Sequence, residues 1–283
     1  MRTTNMPEVS MRLPAVPGNV ALVRQALSGL ADELGVDSAR LADMKVALTE
    51  ACTNAVLHAY DEPGSGPLDV TMVVAQERLV LTVRDRGHGL RPLPSTGEGP
   101  PLGFGLALIA SLADEFGIAA GSHGTVVRIA FALPGAAGAA EPLVVGTATM
   151  DEPSPPTGIA LALGPGSHVA PVLGRVISLL AARADFSIDR VSDAQIVGDA
   201  LAGAAPAHLL GDALWIDVDE GEGGFDLRVG PLAPGGGRKL VRDTELPGIG
   251  CLLEHLVDAL EIEPVTDSEE GCERLRARLS ARI

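Results

Sequence analysis

The chain has 283 residues and a formal net charge of −16, from 21 Lys+Arg against 37 Asp+Glu. That acidity argues against sequence-independent binding to a phosphate backbone, which needs clustered Lys and Arg, and an aromatic content of 2% argues against a base-stacking surface for single strands. Apolar residues reach 46%, enough for a core of Ala, Val, Leu and Ile, and the length suits one large domain or two of roughly 100–200 residues.

In chain order, the N-terminal stretch MRTTNMPEVSMRLP has no apolar run of the kind a signal peptide needs. Met11–Leu13 reads as a short strand. Asn19–Leu34 reads as a helix with Val20, Val23, Ala26, Leu27, Leu30 and Leu34 on one stripe. Residues 39–59 form a second helix, whose apolar face is Leu41, Met44, Leu48, Ala51, Cys52, Ala55 and Ala59. Val70–Ala75 and Leu79–Val83 are β-branched runs joined through Gln76-Glu77-Arg78 as a hairpin. Leu106–Phe116 reads as a third helix and Gly124–Leu133 as a last strand. Helices segregated from an antiparallel sheet make an α+β two-layer sandwich. Pro134–Pro156 is rich in Gly, Ala and Pro, as linkers are, with Leu143–Val145 a candidate edge strand inside it. Thr157–Gly174 has no Asp, Glu, Lys or Arg but is broken by Gly164-Pro165-Gly166 and Pro171, which speaks against a membrane span. Cys52, Cys251 and Cys272 are scattered and form no CxxC pair, which speaks against a disulfide framework or a zinc site and fits a reducing cytoplasm.

The second half echoes the first. Arg40 pairs with Arg190, Asp43 with Asp193 and His58 with His208, all at an offset of 150. LGFGLALIASLADEF from Leu102 resembles PGIGCLLEHLVDALE from Pro247 at an offset of 145. Kept order with little drift indicates a duplicated domain.

Three patterns could carry chemistry. Glu50, Asn54 and His58 lie four residues apart on one flank of the second helix. The carboxylate could take a proton from a nucleophile, and the amide oxygen could ligate a hard cation such as Mg2+. An E-x-x-x-N by itself is also an ordinary solvated helix face. Asp85-Arg86-Gly87-His88-Gly89 follows a strand. Its carboxylate could accept a hydrogen bond from an exocyclic amine while the glycines let the backbone approach a flat ligand, although Asp and Gly also dominate plain turns. Gly103-Phe104-Gly105-Leu106 opens the third helix, where backbone N–H groups suit a phosphate, and STGEGPP (Ser95–Pro101) before it reads as a lid. No GK[ST] follows, so this is not a Walker A loop, and no strand immediately precedes it, unlike a dinucleotide fingerprint.

Together, E-x-x-x-N on a helix, D-x-G-x-G after a strand, G-x-G-L at a helix start and G-T in the last strand resemble the GHKL ATPase superfamily, which includes gyrase, the heat-shock chaperone ATPases, histidine kinases and MutL. ALTEACTNAVLHAYDE, from Ala47, is similar to the EAxTNAxxHAY N-box of the RsbW-type anti-sigma-factor serine kinases. The resemblance covers about residues 8–134. It implies the histidine-kinase-like ATPase fold there, with ATP and Mg2+ as ligands. It implies Asn54 as the Mg2+ ligand, Glu50 as the general base and Asp85 as the acceptor of the adenine amine. Gly87 and Gly89 would shape that pocket, Gly103, Gly105 and Leu106 would lie at the phosphates, and Thr125 would line the adenine site. His58 takes no role from the resemblance and is expected to pack at the helix end. The activity implied is phosphate transfer to a serine of an anti-sigma-factor antagonist of the STAS type, combined with sequestration of a sigma factor. Nucleic acid and membrane are not among the implied partners, and the implied location is cytoplasmic. A nucleotide-gated binding protein without phosphoryl transfer is the alternative from another class. An intact Glu50 favours catalysis, because binding alone needs no base.

The expected organisation is an ATP-binding domain over 1–134, a linker over 135–156 and a degenerate, non-catalytic copy over 157–283. At the offset of 150, Ala200 stands for Glu50 and Ala204 for Asn54, and FDLRV (Phe225–Val229) runs into GPLAPGGGRK with no D-x-G-x-G. Gly248-Ile249-Gly250 keeps the GxG, while Pro234–Lys239 reads as a surface turn that could attract an anion. Related kinases act as dimers, so the expected assembly is a homodimer or an intramolecular pseudo-dimer of the two halves.

Overall fold

The computed structural model describes residues 8–75, 77–89, 103–135, 158–265 and 271–281. The chain divides into two compact units, Met1–Thr157 and Gly158–Ile283.

The first unit runs β1 (Val9–Pro14), α1 (Pro17–Glu33), α2 (Ser38–His58), β2 (Pro67–Ala75), β3 (Arg78–Asp85), α3 (Gly103–Leu112), β4 (Glu115–Gly121) and β5 (Gly124–Ala132). Its strands lie in the order β1-β2-β3-β5-β4, every neighbouring pair antiparallel. Pro17, with φ already fixed near the helical value, starts α1. Asp37 starts α2, its carboxylate accepting the N–H groups of Ala39 and Arg40 at 3.0 Å each. α2 buries Met44, Ala47, Leu48, Ala51, Cys52, Ala55 and Val56 and packs on β2, β3 and β5. Met11, Leu68, Met72, Leu81 and Phe131 meet the helices from the sheet side, all fully buried. This is the α+β sandwich expected from the sequence.

The C-terminal part of this unit corrects the expected elements. α3 ends at Leu112, not Phe116, and Glu115–Gly121 is a strand. That strand pairs with β5, Phe116 facing Ile129 and Ile118 facing Val127. Its sequence, EFGIAAG, holds one β-branched residue and two glycines, so only the partner strand reveals it. Arg40 fixes the corner between α3 and β4. Its Nη1 donates to Leu112 O at 3.2 Å, its Nη2 pairs with Asp114, and its guanidinium lies 4.8 Å from the centre of the Phe131 ring. Asp114 also accepts the N–H of Ala132 at 2.6 Å. The expected edge strand Leu143–Val145 and the lid Ser95–Pro101 lie outside the described residues.

The second unit runs β6 (Ile159–Leu163), α4 (Val169–Arg183), α5 (Ile188–Ala204), a 3-10 turn (Ala205–His208), β7 (Leu214–Gly221), β8 (Gly224–Leu232), α6 (Gly236–Asp243), β9 (Glu245–Leu246), β10 (Gly250–Cys251), α7 (Leu252–Leu256), β11 (Ala259–Pro264) and β12 (Glu273–Ser280). Its strands lie in the order β6-β7-β8-β12-β11, antiparallel throughout, with β9 and β10 as a separate pair. The core gathers Leu161, Leu173, Ile177, Val197, Leu201, Phe225 and Leu227, with Phe225 stacked on Phe186 at 5.7 Å. Arg190 ties the end of α7 to β11 and β12. It donates to Leu256 O, to Ser280 O at 3.1 Å and to Asp258 at 2.7 Å, and Asp258 accepts the N–H of Ser280 at 2.7 Å.

The glycine run near Pro234 is another correction: Gly236–Asp243 is a helix, not a surface turn. Its anion is internal, since Glu273 accepts the N–H groups of Gly235 and Gly237 at 3.1 and 3.0 Å. All three cysteines are free and buried. Among the described residues no helix is long and apolar enough to cross a membrane.

Candidate active site

The first unit holds a cavity of about 220 Å³ between the C-terminal half of α2 and the ends of β3, β4 and β5. Asn54, Asp85, Gly89, Leu106 and Thr125 line it, together with Ala51, Ala55, Leu57, His58, Ala59, Val83, Ile118 and Val127. Its volume falls below the roughly 300–1,000 Å³ of a site that swallows a whole drug-sized ligand, and suits one flat ring system.

Asp85 ends β3 and is only 5% exposed. Its Oδ1 accepts the N–H groups of Gly87 at 3.0 Å and Thr125 at 3.1 Å. Burial pushes this carboxyl above the usual carboxylate range, while the bonds from Gly87 and Thr125, including the Thr125 side chain, pull it part of the way back. A carboxylate has about four acceptor positions, so it retains capacity for a further donor in the cavity. Gly87 is required by close approach: a Cβ there would stand 1.9 Å from the carbonyl oxygen of Ala59.

A second cluster lies where α2 faces α3. A Cβ on Gly105 would stand 2.9 Å from Glu50 Oε2 and 3.5 Å from Asn54 Nδ2, so the backbone of α3 reaches the acid and the amide together only because residue 105 is glycine. Glu50 and Asn54 are half-buried and make no side-chain hydrogen bond among the described residues. An acceptor-only carboxylate beside an amide oxygen can receive a proton and ligate a hard cation.

The fold therefore brings Asp85, Thr125, Gly89, Leu106 and Asn54 to one cavity and sets Glu50 and Gly105 beside it, while Gly87 does not line the cavity and lies against Ala59 of its wall. Gly103 opens α3. His58 differs from expectation: it is exposed and forms part of the cavity wall. The sequence reading also missed Ile118, which lies on the unforeseen β4, and the wall formed by Ala51 and Ala55, which had been counted only as core. Small residues recurring on the flank that carries Glu50 and Asn54 were the available signal.

The histidine kinase-like ATPase domain family matches residues 13–131. The serine-protein kinase RsbW of Bacillus velezensis is 33% identical over 136 residues, covering 44% of this chain and 85% of that protein. The serine-protein kinase RsbW of Bacillus subtilis is 33% identical over 123 residues, covering 39% and 77%. The solved structure of the RsbU and RsbW domains of a Mycobacterium tuberculosis protein is 26% identical with a TM-score of 0.35, and covers 44% of this chain and 32% of that one, so the chain spans about a third of its length. With that identity over most of the length of these relatives, and a histidine kinase-like ATPase domain across residues 13–131, the chain belongs to the RsbW serine-protein kinase family.

Proposed function

We propose that this protein is an ATP-dependent serine kinase that phosphorylates an anti-sigma-factor antagonist of the STAS type and sequesters a sigma factor, acting in the cytoplasm. The observation that carries the proposal is the pairing of a buried, doubly hydrogen-bonded Asp85 in a base-sized cavity with Glu50 and Asn54 against Gly105. Asp85 would accept the adenine amine, with Gly87 and Gly89 shaping that end and Thr125 lining it. Gly103, Gly105 and Leu106 would face the phosphates at the start of α3, where N–H groups point outward. Glu50 would orient the attacking serine hydroxyl and take its proton. Asn54 fits Mg2+, which takes oxygen ligands and commonly needs only one or two from protein beside water and phosphate. The ion, when bound, neutralises charge on the phosphates during transfer.

The second unit, residues 157–283, would be a degenerate copy of the first, without catalysis or nucleotide. Three features support this. With the 3-10 turn, α6, β9 and β10 set aside as additions, the order strand, two helices, two strands, helix, two strands recurs, as does the order of strands in the main sheet. The Arg40–Asp114–Ala132 latch has its counterpart in Arg190–Asp258–Ser280. Where the first unit carries Glu50 and Asn54 the second has Ala200 and Ala204, and α6 packs on the 3-10 turn and β12, with Glu273 filling the glycine N–H groups.

The test is Mg2+-dependent ATP binding, followed in the same samples by phosphate transfer to STAS-type candidates. Wild type should bind and transfer, and Glu50→Gln should bind without transfer. Wild type that binds and never transfers would replace the kinase with a nucleotide-gated binding protein.

A further inference from the structure

The loop that carries the Asp85 carboxylate is strapped to the end of α2. His88 N donates to Ala59 O at 3.0 Å, and Gly87 packs directly against the same carbonyl. Tyr60, the next residue, completes the strap. Its hydroxyl accepts the N–H of Arg86 at 2.9 Å and donates to Pro67 O at 2.6 Å. Its ring packs directly over Gly66, where a Cβ would stand 2.1 Å from Tyr60 Cε1. Arg86 directly follows Asp85, and its own side chain reaches Asp69 at 3.3 Å, a carboxylate already held by Arg12 at 2.6 Å. Burial pushes the Tyr60 phenol above its ordinary value, so the hydroxyl stays protonated and keeps both bonds at neutral pH.

We infer that Tyr60 is a positioning residue for base selection: by holding the Arg86 N–H, its hydroxyl sets where the Asp85 carboxylate meets the amine of a purine. This rests on the proposed role of Asp85. The peptide between Asp85 and Arg86 has its N–H fixed by Tyr60, and Gly87 and Thr125 fix Oδ1, so backbone and side chain of Asp85 are held independently. Releasing one end lets the carboxylate shift, and hydrogen bonds weaken steeply with distance and angle. Constellations of this kind need to be held within about 0.5 Å.

The experiment measures Kd of the full chain, with Mg2+, for ATP and for inosine triphosphate, which carries a carbonyl where adenine carries its amine. Wild type should prefer ATP. Tyr60→Phe should lose about 5- to 10-fold in ATP affinity, the scale of one imperfect hydrogen bond, with inosine triphosphate changed by less than about 2-fold and kcat at saturating ATP preserved. Asp85→Asn should abolish the preference. If Tyr60→Phe weakens both nucleotides alike, or neither, the hydroxyl serves the fold alone and the inference fails while the Asp85 assignment stands. If Asp85→Asn keeps the full preference, the Asp85 assignment fails and takes this inference with it. Amide exchange of the nucleotide-free wild type needs no variant: the Arg86 N–H should exchange slowly, and exchange at the rate of a free peptide would overturn the strap.

Discussion

Replacing Asp85 by Asn should separate stability from binding. Asp85 is buried, and burial raises its carboxyl pKa above the ordinary value. A raised folded-state value means that the protonated form is favoured in the folded protein. The ionised form therefore costs stability at every pH above the folded value, and the cost disappears below the unfolded value of about 3.9. Asn keeps an oxygen that can accept the N–H groups of Gly87 and Thr125, and it carries no charge. Without nucleotide, Asp85→Asn should melt higher than wild type at pH 7, with the gain fading as pH falls toward about 4. With nucleotide the order should reverse. Losing a charged acceptor for the adenine amine costs about 1.5–3 kcal/mol, or roughly 10- to 150-fold in Kd. At a nucleotide concentration 100-fold above the wild-type Kd, wild type gains about 2.7 kcal/mol from ligand and the variant only about 0.3–1.4 kcal/mol. Thermal melts with and without ATP and Mg2+, at several pH values, read both effects. A variant that melts lower than wild type without ligand, or gains as much as wild type from ATP, refutes the assignment of Asp85 as a strained acceptor kept for the base.

Gly105→Ala places its methyl against the far end of the Glu50 side chain, 2.9 Å from Oε2, so the fold should survive while phosphate transfer falls about 100-fold, the scale of a 1 Å misplacement; an unchanged transfer rate counts against Glu50 as the base. Arg190 is 6% exposed at its side chain and Arg40 26%. Arg190→Ala should thus cost about 3 kcal/mol in chemical denaturation and Arg40→Ala about 1 kcal/mol, and the reverse ranking would contradict the burial argument. Burial raises the Cys52 thiol to about 12, and with Cys251 and Cys272 also buried a thiol reagent should label nothing in the native protein and all three in denaturant. Rapid native labelling would show that the core opens.

The helices of the first unit were legible because their apolar stripes recur at helical spacing and Asp37 marks a start. The hairpin was legible from two β-branched runs. β4 was not, because a weak strand takes its conformation from pairing with β5, which no local pattern encodes. The acid, amide and glycines of the site were legible from spacing within α2 and after β3. The same spacing put His58 on the flank of Glu50 and Asn54 without showing that it joins the cavity wall, and Tyr60 was not legible, because bonds to Pro67 and Arg86, seven and 26 residues along the chain, place it. In the second unit the glycine run misled, since its N–H groups find their anion in Glu273, a residue 36 and 38 positions away.

On the proposed duplication, latch and cavity answer to different physics. The Arg–Asp latch closes a corner of the fold, so its loss costs stability whatever the domain does. The acid, amide and adenine acceptor serve a ligand, and burying an acid such as Asp85 costs stability when no ligand repays it. A copy released from catalysis would keep the first and shed the second, and Arg190 and Asp258 beside Ala200 and Ala204 fit that pattern. The vacated ground would then be open to polypeptide, and α6 with the Glu273 carboxylate stands where a helix start could otherwise receive phosphate. The consequence is a stoichiometry. Calorimetric titration of the full chain with ATP and Mg2+ should give one site per chain, and Asp85→Asn should remove that one site without exposing another. Two sites in wild type, or a residual site of wild-type affinity in the variant, would mean that the second unit binds nucleotide through groups other than those of the first.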